Sequence, residues 1–164
     1  MTEFRIYRQQ ENLAQEYGRL NASKLPDIVK KEIADFSKIR LAKGATRLRV
    51  VKCMWCLRLM ANWLNKDFAK ATQDDLVELV SSIDLKDYAE YTKYDFKIVL
   101  KCFYKWFKGK DEEFPKVIKW LKPKLRNVKH KLPEELLSVE EVEKLAGATT
   151  NARDKALVRS ESVV

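Results

Sequence analysis

Four lysines recur at every fourth position in the stretch YTKYDFKIVLKCFYKWF, which covers residues 91–107. They are Lys93, Lys97, Lys101 and Lys105. On a helix, residues four apart are neighbours, and like charges at that spacing repel by about 0.2–0.5 kcal/mol per pair. Phosphate groups bound along the row would replace this repulsion with favourable counterion release. By itself the spacing fits a solvated charged face as well as a helix that binds nucleic acid, and the surrounding residues decide between the two.

The residues around the lysines divide this predicted helix into two arcs of about 120° each. The apolar arc consists of Phe96, Val99, Leu100, Phe103, Trp106 and Phe107. The other arc carries the four lysines together with Lys108, Tyr94 and Tyr104. Asp95 is the only acidic residue in 92–108, so acidic partners four residues away are missing. We therefore expect the apolar arc to face the core and the lysines to be unpaired and available to bind phosphate.

A second basic group opens a helix that is predicted over residues 46–65. Arg47, Arg49 and Lys52 crowd its first two turns. The remainder is apolar on two sides, which is typical of a central helix packed between neighbours. Only the first two turns can then reach a ligand.

Charge is distributed in blocks along the chain. Residues 40–70 carry eight basic groups and one acidic group, and residues 91–131 carry 13 and four. Between them, residues 71–90 carry one basic and six acidic groups. The simplest interpretation is that two basic elements converge on one polyanion while the acidic block faces away.

The composition of the 164-residue chain supports the same class of partner. Its formal net charge of +9 favours nucleic acid over an anionic membrane surface. No run approaches the roughly 18 apolar residues of a membrane span, and the polar start MTEFRIYRQQ lacks the core of a signal peptide. A hydrophobic content of 46% supports a real core, and only four Gly and four Pro leave little material for a turn-rich β protein. We predict an all-α fold.

Periodicity and capping signals place the helices. The predicted segments are a weakly periodic 3–18, then 26–43 closed by Gly44, 46–65, a short acidic helix opened by a Thr72–Asp75 capping box, and 92–108. A short helical turn and an extended basic linker follow, marked by three prolines. Ser138 and Glu141 then predict a second capping box, with Gly147 ending that helix and a further helix starting near Ala152.

Sequence signals for catalysis or metal binding are weak. Cys53 and Cys56 form C-x-x-C inside a helix without a second pair, so core packing is a better interpretation than zinc binding. With Cys102 the chain has three cysteines, an odd number. This count favours free thiols in a protein that resides inside a cell. His130 is the only histidine and has no acid, nucleophile or metal partner in view. No phosphate-loop, dinucleotide or H-E-x-x-H motif is present, and we expect no cofactor and no metal.

Three motifs occur in a fixed order: TRLRVVKCMWCLRLMANWL, YTKYDFKIVLKCFYKWF and, after the basic linker, LPEELLSVEEVEKL with RDKAL. In this order they resemble the N-terminal part of the tyrosine recombinases (the phage-integrase family), most closely the archaeal Xer-like integrases. The resemblance implies a SAM-like core-binding helical domain over 26–122, a basic linker over 123–137 and the truncated start of a catalytic domain over 138–164. Residues 1–25 are left as an unassigned N-terminal extension.

The resemblance implies sequence-directed binding of double-stranded DNA during site-specific integration and recombination. In this family the core-binding domain and the catalytic domain clamp the duplex from opposite faces. By position, the residues that contact DNA would be Lys43, Thr46, Arg47, Arg49, Lys52, Thr92, Lys93, Tyr94, Lys97, Lys101, Lys105, Lys124, Arg126 and Lys129. The implied partners are double-stranded DNA and other recombinase subunits on it. The free chain would be a monomer in the cytoplasm, associated with the nucleoid.

The same resemblance implies that this chain does not cleave DNA. Family members continue past RDKAL to a catalytic arginine, a lysine, an H-x-x-R motif and a nucleophilic tyrosine. Here the sequence reads VRSESVV after RDKAL, and all six tyrosines lie at or before Tyr104. We therefore expect no catalytic residue in this chain, which would be a truncated, disrupted or expressed N-terminal fragment.

Two other functions remain open. A helical protein–protein module would use exposed aromatic residues and the incomplete final helix to bind a partner such as a recombinase subunit. A single-stranded nucleic-acid or RNA binder would stack bases on Tyr94 and Tyr104.

Replacing Lys97 and Lys101 together with glutamate should weaken DNA binding without unfolding the protein, because both charges face solvent in this interpretation. Fluorescence anisotropy with a labelled duplex measures the affinity, and circular dichroism checks the fold. An unchanged affinity would mean that the lysine row is only a solvated surface.

Overall fold

Helices make up all the regular secondary structure in the described part of the chain. The computed structural model describes residues 9–110, 112–125 and 138–151, together with Asp154 and Ala156. Its helices are α1 (Gln9–Ala22), α2 (Asp27–Ala42), α3 (Arg47–Leu64), α4 (Gln73–Leu85), α5 (Glu90–Phe107), α6 (Lys116–Lys119) and α7 (Val139–Ala148). The predicted all-α fold is confirmed. None of the described helices combines the length and apolar character needed to cross a membrane.

The chain divides into two compact units, Met1–Arg126 and Asn127–Val164. The division falls inside residues 123–137, which the sequence assigned to a linker. The first unit contains α1 to α6, and the second contains α7.

A complete glycine cap separates α2 from α3, as the sequence predicted. Gly44 has a φ of +81°, a left-handed conformation that glycine adopts without steric cost. The Gly44 N–H donates to the carbonyl of Leu41 at 2.9 Å, and the Ala45 N–H donates to that of Arg40 at 3.0 Å. These two bonds form a Schellman motif, which satisfies the last carbonyls of α2 and turns the chain directly into α3.

Helix α3 lies at the centre of the first unit and packs against α1, α2, α4 and α5. Its buried residues are Val50, Cys53, Met54, Cys56, Leu57, Met60 and Ala61. This confirms the central helix that was predicted from its two apolar sides. Since its body is covered, the exposed basic side chains of α3 are Arg47, Arg49 and Lys52 in its first two turns.

The apolar arc of α5 forms the aromatic part of the core. Phe96 and Phe103 are fully buried. The ring of Phe103 lies 5.4 Å from that of Phe36 in α2 and 4.7 Å from that of Phe68 in the α3–α4 connection. The predicted division of α5 into an apolar and a basic side is confirmed for these residues. The helix begins at Glu90, two residues before the predicted start.

Helix α1 belongs to the first unit rather than standing apart from it. Leu20 is buried against the core, and the Tyr17 hydroxyl is hydrogen-bonded to Ser37 in α2. Glu16 is 1% exposed, and Arg58 of α3 donates from Nε to its carboxylate at 2.9 Å. The sequence left residues 1–25 as an extension, and the described part of that segment completes the bundle around α3.

Local capping signals in the sequence are accurate at both predicted capping boxes. The Thr72 hydroxyl accepts from the Asp75 N–H, and the Asp75 carboxylate accepts from the Thr72 N–H at 2.9 Å. Ser138 and Glu141 make the same reciprocal pair at the start of α7. The predicted end at Gly147 is wrong by one residue, because Gly147 has no positive φ and α7 continues to Ala148.

Replacing Arg58 with alanine leaves the Glu16 carboxylate buried without its main partner. We expect a loss of about 3 kcal/mol in the free energy of unfolding, measured by urea denaturation, because a buried charge that loses its buried partner keeps most of its desolvation cost. Arg19→Ala is the matched control. Arg19 contacts the same carboxylate at 3.3 Å but is 64% exposed, so its loss should cost less than about 1 kcal/mol. Equal losses in the two variants would contradict the buried pair.

The carboxyl group of Glu32 should make stability depend on pH. Burial and, to a smaller extent, the nearby charge of Asp67 raise its pKa to about 7, while Lys108 acts in the opposite direction. The folded protein then binds more protons than the unfolded chain between about pH 4.5 and 7, so stability falls as pH rises through this window. Because solvent screens part of this charge, we expect a loss of about 1 kcal/mol. Glu32→Gln should flatten the pH profile of urea denaturation, and an unchanged slope would contradict the assignment.

Candidate nucleic-acid interface

The first turn of α3 combines a helix N-terminus with uncompensated basic side chains. Thr46 is the N-cap, and its hydroxyl accepts from the Arg49 N–H at 3.4 Å. The first turn contains no acidic residue, and Arg47 and Arg49 are exposed. A helix N-terminus carries a partial positive charge that favours acidic groups by about 0.3–1 kcal/mol each. Here basic groups stand in that position, so the local positive potential adds up and favours an anion.

Two further candidate residues flank this turn. Lys43 lies in the connection before α3 and is exposed. Lys52 lies one turn further along and forms an ion pair with Asp95 of α5. The structure therefore brings Lys43, Thr46, Arg47, Arg49 and Lys52 to one end of the bundle, as the sequence predicted. It also places an acidic side chain next to one of them.

The first half of the lysine row is paired with acidic groups. Lys93 contacts Glu90 at 3.1 Å, and Lys97 contacts Asp84 of α4 at 2.5 Å. Each of the two lysine side chains is only 16% exposed. The expectation of four unpaired lysines is wrong here, because the projection covered only residues 92–108 and so left out Glu90, and because no projection of one helix includes an acid such as Asp84 of a neighbouring helix.

The expectation that the acidic block faces away is also wrong at Asp84. This residue lies in the last turns of α4, directly beside Lys97. With Lys93, Tyr94 and Lys124 it lines a polar cleft of about 210 Å³. Three lysines and a tyrosine thus meet at this cleft, and the charges of Asp84 and Glu90 offset part of the positive potential of the lysines. Thr92, at the start of α5, is half-buried.

The second half of the row has a different environment. Lys101 and Lys105 place their ammonium groups 4.5 and 5.4 Å from the centre of the Phe114 ring. Both lysines are partly exposed, and cation–π contacts at sites open to solvent are worth about 0.5–1 kcal/mol and leave the positive charge in place. These two lysines therefore remain the strongest candidates for phosphate contacts on α5.

Gly109 makes this arrangement possible. A β-carbon at this position would overlap the carbonyl oxygen of Glu113 and lie 2.7 Å from that of Lys105. The close approach lets the segment after α5 fold back so that Phe114 reaches the lysines. The sequence shows a glycine at this position. It does not show that the residues after the glycine fold back over the lysines of α5.

Tyr104 does not belong to the basic surface. It is fully buried, and its hydroxyl donates to the carbonyl of Phe68 at 3.0 Å. Burial, with the nearby charges of Glu32 and Asp75, raises the pKa of this hydroxyl well above its usual value. On the helix it lies only about 40° from Leu100, at the edge of the apolar arc. The prediction that it faces the ligand with the lysines is wrong.

The two basic groups meet α5 on different flanks. The start of α3 lies against the side of α5 that carries Asp95, Val99 and Cys102. In a helical projection, with the buried Phe96 in the middle, the four lysines fall on the other side of α5. The candidate interface is therefore composed of separate basic patches around α5. Arg126 and Lys129 lie outside the described residues.

The C-x-x-C pair is part of the core. Cys56 is fully buried and Cys53 is 7% exposed. Burial raises the pKa of Cys56 to about 12 and also raises that of Cys53, so both stay protonated near neutral pH. Metal-binding cysteines are thiolates, and the core-packing prediction is confirmed. Within the described residues, no cluster of three or more His, Cys, Asp or Glu side chains could hold a metal ion, and His130 lies outside them.

Sequence reasoning missed two residues of this surface. Arg40 of α2 lines a pocket with Arg49 and Lys52, and Phe114 covers two lysines of α5. Arg40 stands three residues before Lys43, so its sequence position near a basic helix start was a usable signal. The sequence contains no such signal for Phe114, because its contacts depend on how the chain turns at Gly109.

No family model, no curated protein and no solved structure matches the chain. The resemblance to the integrases therefore depends on the motifs of the sequence alone and stays a prediction.

Proposed function

We propose that this chain binds double-stranded DNA as the N-terminal, DNA-holding part of a site-specific tyrosine recombinase, without strand-cleaving residues of its own. The observation that carries the proposal is the first turn of α3. It joins a capped helix N-terminus to exposed Arg47 and Arg49 with no acidic residue in that turn. Such a turn is suited to a phosphate of the duplex backbone.

The second support is Lys101 and Lys105 on α5. Their packing on Phe114 limits their motion without neutralising them. Holding these side chains in place reduces the conformational entropy that binding would otherwise cost. Lys93 and Lys97 should contribute less, because a phosphate must first compete with Glu90 and Asp84.

The proposal includes the remaining expectations from the motifs. The free chain is a monomer that associates with the nucleoid, and other recombinase subunits join it on DNA. Sequence preference would come from base contacts near the start of α3, whereas the lysines would contact phosphates and fix the position of the protein on the duplex.

A protein-interaction function is favoured by a different observation. Helix α7 exposes Val139 and Leu145, at 73% and 45% of their surface. A partner bound there would be insensitive to salt, so sedimentation at low and high salt separates this function from DNA binding. Binding of single-stranded nucleic acid is less favoured, because Tyr104 is buried and, of the two predicted tyrosines, only Tyr94 could stack on a base. Competition between duplex and single strand tests this alternative.

Titration of a fluorescently labelled duplex at several salt concentrations should give log K falling with log salt at a slope of about −5. This corresponds to about six phosphate contacts. Lys101→Glu with Lys105→Glu should weaken binding and reduce the slope by about 2. This pair replaces the Lys97 variant, since a glutamate at 97 would face Asp84 and disturb the fold.

The matched control is Lys24→Glu with Lys31→Glu, which makes the same charge change at exposed positions near the other end of α2. It should alter affinity much less than the α5 pair. Absence of duplex binding at low salt would overturn the proposed function, and equal effects of the two pairs would reduce it to non-specific attraction by net charge.

A further inference from the structure

We propose that a pocket formed by the last turn of α2, the first turns of α3 and the middle of α5 binds a single phosphoryl group. Arg40, Arg49 and Lys52 supply the cationic side of this pocket. Cys53 and Cys102 lie in its wall, with two aliphatic side chains of α5. The three cations come from two helices that the Gly44 turn holds together, so the site is built by the same cap that starts α3.

The charges of these three residues all act on the Cys53 thiol. Burial raises the pKa of the Cys53 thiol, and Arg40, Arg49 and Lys52 all act in the opposite direction. Each cation must therefore lie close enough to stabilise a negative charge at the Cys53 sulfur. An anion placed in the pocket would experience the same attraction from all three.

Arg40 has an unsatisfied donor. Its Nε is buried and has no hydrogen-bond partner within the described residues. A buried donor without an acceptor costs about 1–3 kcal/mol, and more when the group is charged. Arg40 also lines the pocket, and a guanidinium presents its donors in a fork that matches phosphate geometry.

The size and charge of the pocket select the ligand. Its volume of about 60 Å³ holds a few water molecules or one small anion, and leaves no room for a base or a sugar. Asp95 also lines the pocket and forms an ion pair with Lys52. Three cations and one carboxylate leave a surplus of two positive charges. This surplus matches a phosphoryl group with one or two negative charges better than a neutral ligand.

The source of this phosphoryl group would be the DNA backbone, and that assignment rests on the proposed function. The existence of the pocket does not rest on the proposed function, because inorganic phosphate carries the same chemistry. A phosphate of the duplex would enter beside the first turn of α3, where Arg49 already belongs to the candidate interface.

Cys102 provides a local reporter for this site. It is the exposed cysteine of the three and lines the pocket, whereas Cys53 and Cys56 are buried. The test follows alkylation of the full chain by uncharged iodoacetamide, with intact mass and peptide mapping. It compares inorganic phosphate with chloride at equal ionic strength. We expect phosphate to slow the reaction at Cys102 in a saturable manner, since a bound anion blocks access and disfavours the thiolate.

Three variants sharpen the test. Arg40→Gln should weaken the apparent phosphate affinity about tenfold or more, as expected for the loss of a charge-assisted hydrogen bond. Asp95→Asn should strengthen it, because a like charge leaves the pocket. Lys31→Gln, at an exposed position of α2 that does not line the pocket, is the matched control and should leave protection unchanged. If Arg40→Gln unfolds, all three cysteines will react, and Arg49→Gln at an exposed position then replaces it.

Equal alkylation rates in phosphate and chloride, or protection that survives Arg40→Gln or its Arg49→Gln replacement, would overturn the pocket. The same assay with duplex DNA assigns the source. Duplex binding without protection of Cys102 would refute the DNA phosphate in this pocket and leave the proposed function standing. Failure of the duplex to bind at all would overturn the proposed function, and the inorganic phosphate result would still decide the pocket.

Discussion

The position of Phe103 fixes the arrangement of the charged surface. Its ring packs against Phe36 of α2 and Phe68 of the α3–α4 connection, which sets the rotation of α5 about its own axis. Since side chains on one helix keep fixed angles to one another, every lysine of α5 takes its direction from this contact. Lys101 and Lys105 then point away from the core, whereas Asp95 is directed towards the start of α3.

The rotation of α5 also explains why its basic surface is uneven. Lys93 and Lys97 fall at the side where α4 and the first turn of α5 provide carboxylates, and both become paired and mostly covered. Exposed basic side chains remain at the first turn of α3, which contains no acidic residue of its own. A net charge of +9 thus produces local patches of different strength rather than a uniform field. An anionic partner would be held first at the patches that need no exchange of ion pairs.

Local features were predictable because they depend on residues a few positions apart. The Thr72 and Ser138 capping boxes and the Gly44 cap all follow from hydrogen bonds within one turn. The central position of α3 followed from its two apolar sides. The role of α1 did not, because its buried carboxylate at Glu16 needs Arg58, which lies 42 residues away in the chain.

The sequence by itself determined the helical class, most of the caps, the buried side of α5 and the two groups of basic residues. Only the tertiary structure decided which of those charges remain available. Asp84 pairs with Lys97 from another helix, and Phe114 packs on Lys101 after the turn at Gly109. Tyr104 lies in the core, where its hydroxyl donates to the Phe68 carbonyl. The reason is the range of the forces involved. Periodicity describes angles within one helix, whereas ion pairing and burial depend on atoms that other segments bring within a few ångströms.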